Sequence, residues 1–379
     1  MSTSYFGVRE HIIPCSYIRE YPGALLNNQE DTLRLHVKQY TPLDGSQHRP
    51  GAITIVGAHA NAFPKELYEA LWDDLYEALK ERGESIAGIW ISDVAHQGLS
   101  GVLNEDKIGN DRSPAPEDNK ASWLLSQKST IRRDKWPSRA EAKTAFLRSK
   151  FYQIWDPRVL DLLVKYGLRN LPTALYPRDP NDPDQTKDTS ADDSPVTLTT
   201  SKHQEVFTFL RPIFGGVDAR GKKMPNRQTH PDLDPDLDPS GQVPFYRPEP
   251  TRTFHILQYL RPSALYIFGG QSLLSPADMR KAKMERTGTG VGGSGGAKEG
   301  KVKEKLFEEK GHLLPMEIPR ECADAAAGFL ASSLEEWRAE EEAWRKDWEG
   351  KSKAERSTVS EDWKRNLGGE QRVKSSQKL

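Results

Sequence analysis

One histidine has the sequence surroundings of a catalytic base. His312 stands between Gly311 and Leu313, after the segment Val302–Phe307, which reads as a short β-strand, and before a predicted helix. A histidine on such a loop can reach a substrate and exchange a proton near neutral pH. The alternative is a structural role, in which it caps the helix. A catalytic His312 requires a serine or cysteine nucleophile and an acid to orient the ring.

The nucleophile is not evident. Ser294 fits the pattern Gly-x-Ser-x-Gly within Gly292–Gly296. A nucleophilic serine of this type needs a strained turn between a buried strand and a helix. Thr287–Val291 is no buried strand, and Ala297–Gly300 is not expected to begin a helix. We therefore reject Ser294, and we predict that residues 287–300 form a flexible, glycine-rich segment.

The elements that must position His312 are buried strands and helices. Gly51–Gly57 and Ile86–Asp93 are apolar and rich in β-branched residues, and leucines recur between them at four-residue spacing. Strand, helix, strand at this spacing indicates a βαβ unit and a parallel sheet. Ala264–Phe268 and Val302–Phe307 are two further buried strands. We predict that the four strands are parallel neighbours or are separated by a gap.

Most of the remaining chain reads as helical or irregular. Pro137–Leu171 and Thr199–Leu210 are predicted helices, and a final helix begins near Pro319. The predicted domains are an N-terminal half of the core at 1–123, a cap or insertion at 124–255, a C-terminal half at 256–335, and a charged helix with a disordered tail at 336–379.

The repeat Asp232–Pro239 lacks the glycine and distal glutamate of an EF-hand, so we interpret it as a solvated loop. We expect no metal and no cofactor.

Composition excludes several classes of function. The net charge of −1 provides no field that favours nucleic acid or an anionic membrane. Cys15 and Cys322 are too few for a disulfide framework and fit a reducing compartment. No apolar run approaches the ~20 residues of a transmembrane helix, and the N-terminus lacks the features of a secretory signal.

The last three residues, Gln377, Lys378 and Leu379, resemble the Ser-Lys-Leu address read by the peroxisomal import receptor. We predict a peroxisomal location on this basis, with the cytoplasm as the alternative. A random solvated tail is the other interpretation of these residues.

Several segments taken together resemble one family. They are His11–Pro14, Ile18–Gly23, Leu35–Tyr40, Pro64–Glu69, Asn104–Lys107, Pro195–Thr200, Tyr246–Pro250, Gly290–Gly296 and Gly311–Leu313. On these residues the chain resembles the α/β-hydrolases of fungal secondary-metabolite clusters, the toxin-biosynthesis protein family. That family includes peroxisomal type I acyl-CoA thioesterases of the mycophenolic acid type. The resemblance covers nearly all of residues 5–350.

This resemblance implies an α/β-hydrolase-like fold, with a mostly parallel sheet and a helical cap insertion, and an acyl-CoA or ester substrate. In such hydrolases a serine attacks the carbonyl, a histidine transfers the proton, and backbone N–H groups hold the oxyanion. The histidine carries over to His312. The His-Gly pair of the oxyanion hole corresponds to His59-Ala60, with Asn61 next, so these three are the oxyanion-hole candidates. His96, in the turn after the next strand, is interpreted as structural.

The chain departs from the family in one block. There, a Ser-Trp pair precedes a helix, a strand into a Gly-His-Ser-x-Gly-Gly elbow, another helix, and a strand that ends in Asp-Pro. Here Ser122-Trp123 leads almost directly to Arg132–Arg139, which follows that block in the family. The nucleophile, the acid and the central elbow strand are therefore missing. The chain is either a hydrolase of acyl-CoA or esters by family membership, or an inactive relative (or an incomplete gene product) that binds a ligand or partner without turnover.

Overall fold

The computed structural model describes residues 4–16, 23–109, 120–177, 194–212, 245–246 and 249–367. The chain divides into two compact units, Met1–Gly328 and Phe329–Leu379. The strands are β1 Phe6–Pro14, β2 Arg34–Pro42, β3 Ile53–Ala58, β4 Ile86–Ser92, β5 Lys135–Trp136, β6 Leu168–Asn170, β7 Val196–Leu198, β8 Arg211–Pro212, β9 Phe245–Tyr246, β10 Ala264–Gly269 and β11 Val302–Phe307. The α-helices are α1 Glu69–Glu81, α2 Gly98–Leu103, α3 Lys120–Ile131, α4 Arg139–Arg148, α5 Lys150–Gln153, α6 Pro157–Tyr166, α7 Lys202–Phe209, α8 Glu249–Ile256, α9 Ala277–Arg286, α10 Leu314–Glu317, α11 Pro319–Gly350, α12 Lys353–Ser357 and α13 Glu361–Leu367.

One sheet has four strands in the order β1-β2-β4-β3. β1 pairs antiparallel with β2, and β2 pairs antiparallel with β4. β3 and β4 run parallel, with α1 between them in the chain. Leu67, Leu75 and Leu79, which belong to the leucine spacing, are buried. The predicted βαβ unit is confirmed, and β1 and β2 are additional to the predicted strands.

β10 and β11 form a separate two-stranded sheet. They run parallel, from Ala264 opposite Val302 to Gly269 opposite Phe307. The four predicted parallel strands therefore form two parallel pairs, and no ladder joins the pairs in the described part of the chain. The sheets are mixed rather than mostly parallel, because β1 and β2 add antiparallel ladders to the β3–β4 pair.

The outer edge of β3 has no strand neighbour among the described residues. Its side chains alternate between half-buried and exposed, and Val56, at the centre of the strand, is 80% exposed. Strands inside a parallel sheet are normally covered on both faces. An exposed apolar side chain on an unpaired edge agrees with the expectation that a neighbouring strand and its helix are absent.

A three-stranded antiparallel sheet, in the order β5-β7-β6, lies within the range 124–255, for which the sequence predicts a cap or insertion. The stretch predicted as helical from Pro137 to Leu171 contains α4, α5 and α6, but it ends in β6. The buried cluster here includes Phe146, Leu160 and Leu163, whereas Phe151 is 48% exposed. β6 escapes local pattern recognition because its partner, β7, is distant in sequence.

Residues 287–300 form a loop closed by long-range backbone hydrogen bonds. The N–H groups of Gly288 and Ser294 donate to the carbonyl oxygens of Leu257 and Leu260 at 2.9 and 3.0 Å. The prediction of a flexible segment is wrong, because glycine content alone does not reveal pairing with a distant turn.

The unit Phe329–Leu379 contains the C-terminal part of α11, together with α12 and α13. α11 begins at Pro319, as predicted. Trp337, Trp344 and Trp348 are 55%, 57% and 39% exposed, and the rings of Trp344 and Trp348 stack 5.8 Å apart. None of the helices in the described ranges has the length and apolar character to cross a membrane.

Candidate active site

The loops that follow β10 and β11 lie side by side at the carboxyl ends of these parallel strands. The N–H of Gly270 donates to the carbonyl oxygen of Phe307 at 2.9 Å. Gly269 makes a very close approach, since a Cβ atom there would lie 1.8 Å from the carbonyl oxygen of Gly311. Glycine alone permits this contact, which fixes the two loops against each other.

This contact brings His312 against Ser272. Nδ1 of His312 lies 2.9 Å from Oγ of Ser272. Ser272 is only 6% exposed, whereas His312 is open to solvent. β11 ends at Phe307, so His312 lies just beyond the carboxyl end of its strand, where open α/β sheets place their ligands. Ser272 is not among the residues that the sequence pattern singles out.

The surroundings of His312 lower its pKa below the usual 6.5. Desolvation of the ring by neighbouring atoms is the largest cause, and the positive charge of Lys283 adds to it, while Glu317 acts in the opposite direction. Lys283 is half-buried on α9, and its ammonium lies 5.9 Å from the centre of the Phe268 ring. Burial lowers the pKa of Lys283 as well. His312 is therefore neutral at pH 7, which is the form that accepts a proton.

The loop at 58–64, after β3, carries the oxyanion-hole candidates. Nε2 of His59 accepts a hydrogen bond from the N–H of Val94 at 3.0 Å, and Nδ1 lies 2.9 Å from the carbonyl oxygen of Ala60. This pattern places the ring proton on Nδ1 and ties the loops after β3 and β4 together. The N–H of Ala60 donates to the hydroxyl of Tyr68 at 3.0 Å, and burial raises the pKa of Tyr68 to about 12. The His59 ring and the Ala60 N–H thus serve hydrogen bonds within the fold.

Gln97 holds the far end of the same loop. Its buried side chain accepts from the N–H of Ala62 at 2.8 Å and donates to Oδ1 of Asn61 and to Oγ1 of Thr208. Ala62 has a φ of 76°, an unusual value for a residue with a side chain, and this hydrogen bond supports it. Nδ2 of Asn61 donates to the carbonyl oxygen of Glu205 at 3.3 Å. The backbone N–H of Asn61 has no acceptor within the described residues, so it is one donor that this loop can offer.

A buried carboxylate fixes the turn after β4. Asp93 accepts from the backbone N–H of Lys65 at 2.9 Å and from its ammonium at 2.6 Å. Gly98, in the same turn, has a φ of 53°, and a Cβ atom there would lie 2.3 Å from the Asp93 carboxyl carbon. Nε2 of His96 lies 2.9 Å from Oγ1 of Thr208, in agreement with a structural role.

An ion-pair network continues inward from Lys65. Its ammonium is 2.9 Å from Oε1 of Glu66, and the ammonium of Lys38 is 3.2 Å from the same oxygen. Lys38 also lies 3.4 Å from Glu69. Burial raises the pKa of Glu66, but the two ammonium groups outweigh it and hold the pKa below its usual value. These buried charges anchor the loops after β3 and β4.

The His312 loop and the loop after β3 each contribute an apolar residue to the border of one buried cluster. Leu313 and Phe63 pack against one buried cluster, which contains Leu67 and Met316. Both loops therefore border the same buried cluster.

The hydroxyl groups of Ser100, in α2, and of Ser294, in the Gly-x-Ser-x-Gly pattern, form hydrogen bonds within the fold. Oγ of Ser100 accepts from the N–H of His36 at 2.8 Å and donates to the carbonyl oxygen of Asp93 at 3.0 Å. Ser294 lies in the loop between α9 and β11, and its Oγ accepts from the N–H of Gly296 at 3.3 Å. No strand leads into Ser294, and a three-residue 3-10 helix follows it. The rejection of Ser294 as an elbow serine is confirmed.

Helix α3 spans the point, after Ser122-Trp123, at which the resemblance places the start of the elbow block. It packs on α7, where Glu205 accepts from Oγ of Ser129 at 2.6 Å and pairs with the guanidinium of Arg132. Burial raises the pKa of Glu205, and Arg132 partly offsets this. α3 then leads to β5 at Lys135–Trp136, rather than to a strand that carries a nucleophile.

Within the described ranges, no group of three or more His, Cys, Asp or Glu side chains is placed to hold a metal ion. The repeat Asp232–Pro239 and the terminal residues Gln377, Lys378 and Leu379 lie outside the described residues.

Comparison with solved structures defines the class. The chain matches the peroxisomal α/β-hydrolase Lpx1 (Yor084w) of Saccharomyces cerevisiae with a TM-score of 0.57 at 12% identity, over 87% of this chain and 90% of that one. The fold is accordingly that of the α/β-hydrolases, with a mixed sheet and helices.

Sequence comparison defines the family. The chain is 35% identical to the type I acyl-CoA thioesterase mpaH of Penicillium roqueforti (strain FM164), over 93% of this chain and 94% of that protein. It is 34% identical to mpaH' of Penicillium brevicompactum, over 96% and 95%. The abhydrolase domain-containing protein AFT2-1 of Alternaria alternata is 30% identical, over 55% of this chain and 67% of that protein. No family model matches the chain. The chain belongs to the fungal α/β-hydrolase family that includes these type I acyl-CoA thioesterases.

The same comparison bears on the missing block. The match to the Penicillium roqueforti thioesterase extends over 418 positions, which outnumber the 379 residues of this chain. Part of that relative therefore has no counterpart here.

Proposed function

We propose that this chain acts on the thioester bond of an acyl-CoA, or on a related small-molecule ester, in fungal secondary-metabolite biosynthesis. The observation that carries the proposal is the placement of His312, which is neutral and open to solvent at the carboxyl ends of β10 and β11. The relatives named as acyl-CoA thioesterases support the substrate class.

In this proposal His312 activates a water molecule, because the sequence contains no elbow serine. The N–H of Asn61 is a donor available to a developing oxyanion. Without a covalent intermediate, we expect on the order of a thousandfold acceleration over water, as left by enzymes that have lost their triad.

A second candidate function is binding of the same ligand class without turnover. It is favoured by the course of α3, which leads to β5, whereas the family resemblance implies a strand and an elbow at this place in the chain. The experiment that separates the two titrates the purified protein with a thioether analogue of an acyl-CoA, which cannot be hydrolysed, and then measures hydrolysis of the thioester itself. Binding with slow hydrolysis lost in His312→Ala supports the first function. Binding with no hydrolysis supports the second, and no binding refutes both.

The location that we propose is the peroxisome, reached through recognition of Gln377, Lys378 and Leu379 by the import receptor, with the cytoplasm as the alternative. Its support is the similarity of the tail to a Ser-Lys-Leu signal. Sequencing the transcript across the codons of Trp123 and Leu124 tests whether the elbow block is absent from the expressed protein.

A further inference from the structure

The contact between Ser272 and His312 is made at a particular ring nitrogen. In a serine-histidine-acid triad, the orienting acid binds Nδ1, and Nε2 exchanges the proton with the nucleophile. Oγ of Ser272 lies 2.9 Å from Nδ1. Ser272 thus occupies the position of the orienting group, not that of the nucleophile.

Burial leads to the same assignment. A nucleophile must be accessible to the substrate, but Ser272 is 6% exposed and lies behind a ring that is open to solvent. Ser272 is also held firmly, because its N–H donates to the carbonyl oxygen of Gly269 at 3.1 Å and the Gly269–Gly311 contact locks the two loops. A fixed, buried hydroxyl is suited to orient a ring.

We propose that Ser272 is a positioning residue that accepts a hydrogen bond from the Nδ1–H of His312 and thereby holds the lone pair of Nε2 toward the solvent-exposed side. The inference rests on the proposed function for its chemical consequence, although the hydrogen bond itself exists without substrate. Free imidazole in water favours the opposite tautomer, with the proton on Nε2, so the hydroxyl acts by reversing this preference.

The consequence is a balanced hydrolytic step. Water forms a bond to the carbonyl carbon of the thioester while Nε2 of His312 takes one of its protons. The carbon–sulfur bond then breaks, and the protonated ring returns that proton to the departing thiolate. The products are a carboxylic acid and free CoA thiol, and His312 returns to its starting tautomer.

The charged groups that face the ring shift its pKa in opposite directions, and neither selects the tautomer. Lys283 on α9 disfavours the protonated ring, and Glu317 on α10 favours it. Both act on the total charge of the imidazole, whereas the hydroxyl of Ser272 acts on one nitrogen. This difference provides a matched control.

The test is nitrogen-15 NMR of histidine-labelled full-length protein above the pKa of His312. The chain has nine histidines, so His312→Gln assigns the resonances. We expect His312 to be mainly the Nδ1–H tautomer, Ser272→Ala to shift it mainly to Nε2–H, and Ser272→Thr to restore the original state. Lys283→Met should raise the pKa of His312 and leave the tautomer unchanged.

A wild-type His312 that is mainly Nε2–H overturns the proposal, even if Ser272→Ala fails to fold. So does a tautomer that is the same in wild type and Ser272→Ala. Because no substrate is present, failure of this test is distinct from failure of the acyl-CoA binding experiment, which overturns only the proposed function.

Discussion

Replacement of Lys65 by methionine should strongly destabilise the fold, because the side chain is fully buried within a network of acids. Its ammonium lies 2.6 Å from Asp93 and 2.9 Å from Glu66. Removal of one partner from a buried ion pair leaves uncompensated charge and costs about 3–5 kcal/mol. A domain of ordinary stability has about 5–15 kcal/mol in total, so the loss is a large share.

Lys143→Met is the matched control. Lys143 pairs with Asp161 at 2.7 Å, nearly the same distance, but the two side chains are 45% and 47% exposed. Exposed pairs contribute about 0–1 kcal/mol. The assay is urea unfolding at pH 7, followed by tryptophan fluorescence and far-UV circular dichroism, and coincidence of the two transitions checks two-state behaviour. Equal effects of Lys65→Met and Lys143→Met would refute the reasoning.

The network also predicts a dependence on pH. The pKa of Glu66 is lower in the folded protein than its usual 4.5, because Lys65 and Lys38 outweigh the effect of burial. The folded state therefore binds fewer protons than the unfolded state at acid pH, and stability is lost as the pH falls below about 4.5. This loss should be smaller in Lys65→Met, whose Glu66 has lost one of its two cations.

Three further predictions concern other parts of the molecule. Gln97→Ala leaves the N–H of Ala62 without its acceptor, so we expect the free energy of unfolding in urea to fall by about 1–3 kcal/mol. An unchanged midpoint would argue against a role for Gln97 in holding the loop. Val56→Lys on the open edge of β3 should change the unfolding free energy by less than about 0.5 kcal/mol but reduce light scattering on storage, and equal scattering would contradict an exposed edge. A fluorescent fusion that ends in Gln377, Lys378 and Leu379 should enter peroxisomes, and its truncation should not; a cytosolic signal from the full-length fusion counts against targeting.

The sequence pattern predicts the central strands well, because each is a continuous apolar run. β3, β4, β10 and β11 all lie where buried strands are expected, and β11 matches Val302–Phe307 at both ends. β1 and β2 are not recognised, since alternating polar strands give a weaker signal than buried ones. The loop at 287–300 is misjudged because its order depends on a turn that is distant in the chain.

Only part of the candidate site can be predicted from the sequence. His312 has a local signature, a Gly-His pair between a strand and a helix. Ser272 has none, because it meets His312 only through the close approach of two loops that are 40 residues apart in sequence. Gln97 lies in the turn after β4, and its hydrogen bonds to Asn61 and Ala62 depend on the folded structure, so the sequence does not predict them.

Hydrolysis of an acyl-CoA by the purified chain, compared with His312→Ala, tests the central claim that this family member retains the histidine of its site and lacks a serine nucleophile. We predict no turnover on the scale of a triad enzyme from either protein, and for the wild type at most the roughly thousandfold excess over water that His312 provides. Turnover near ~10 per second, a typical enzyme value, that is abolished in His312→Ala would contradict the account and show that a nucleophile is present in this chain.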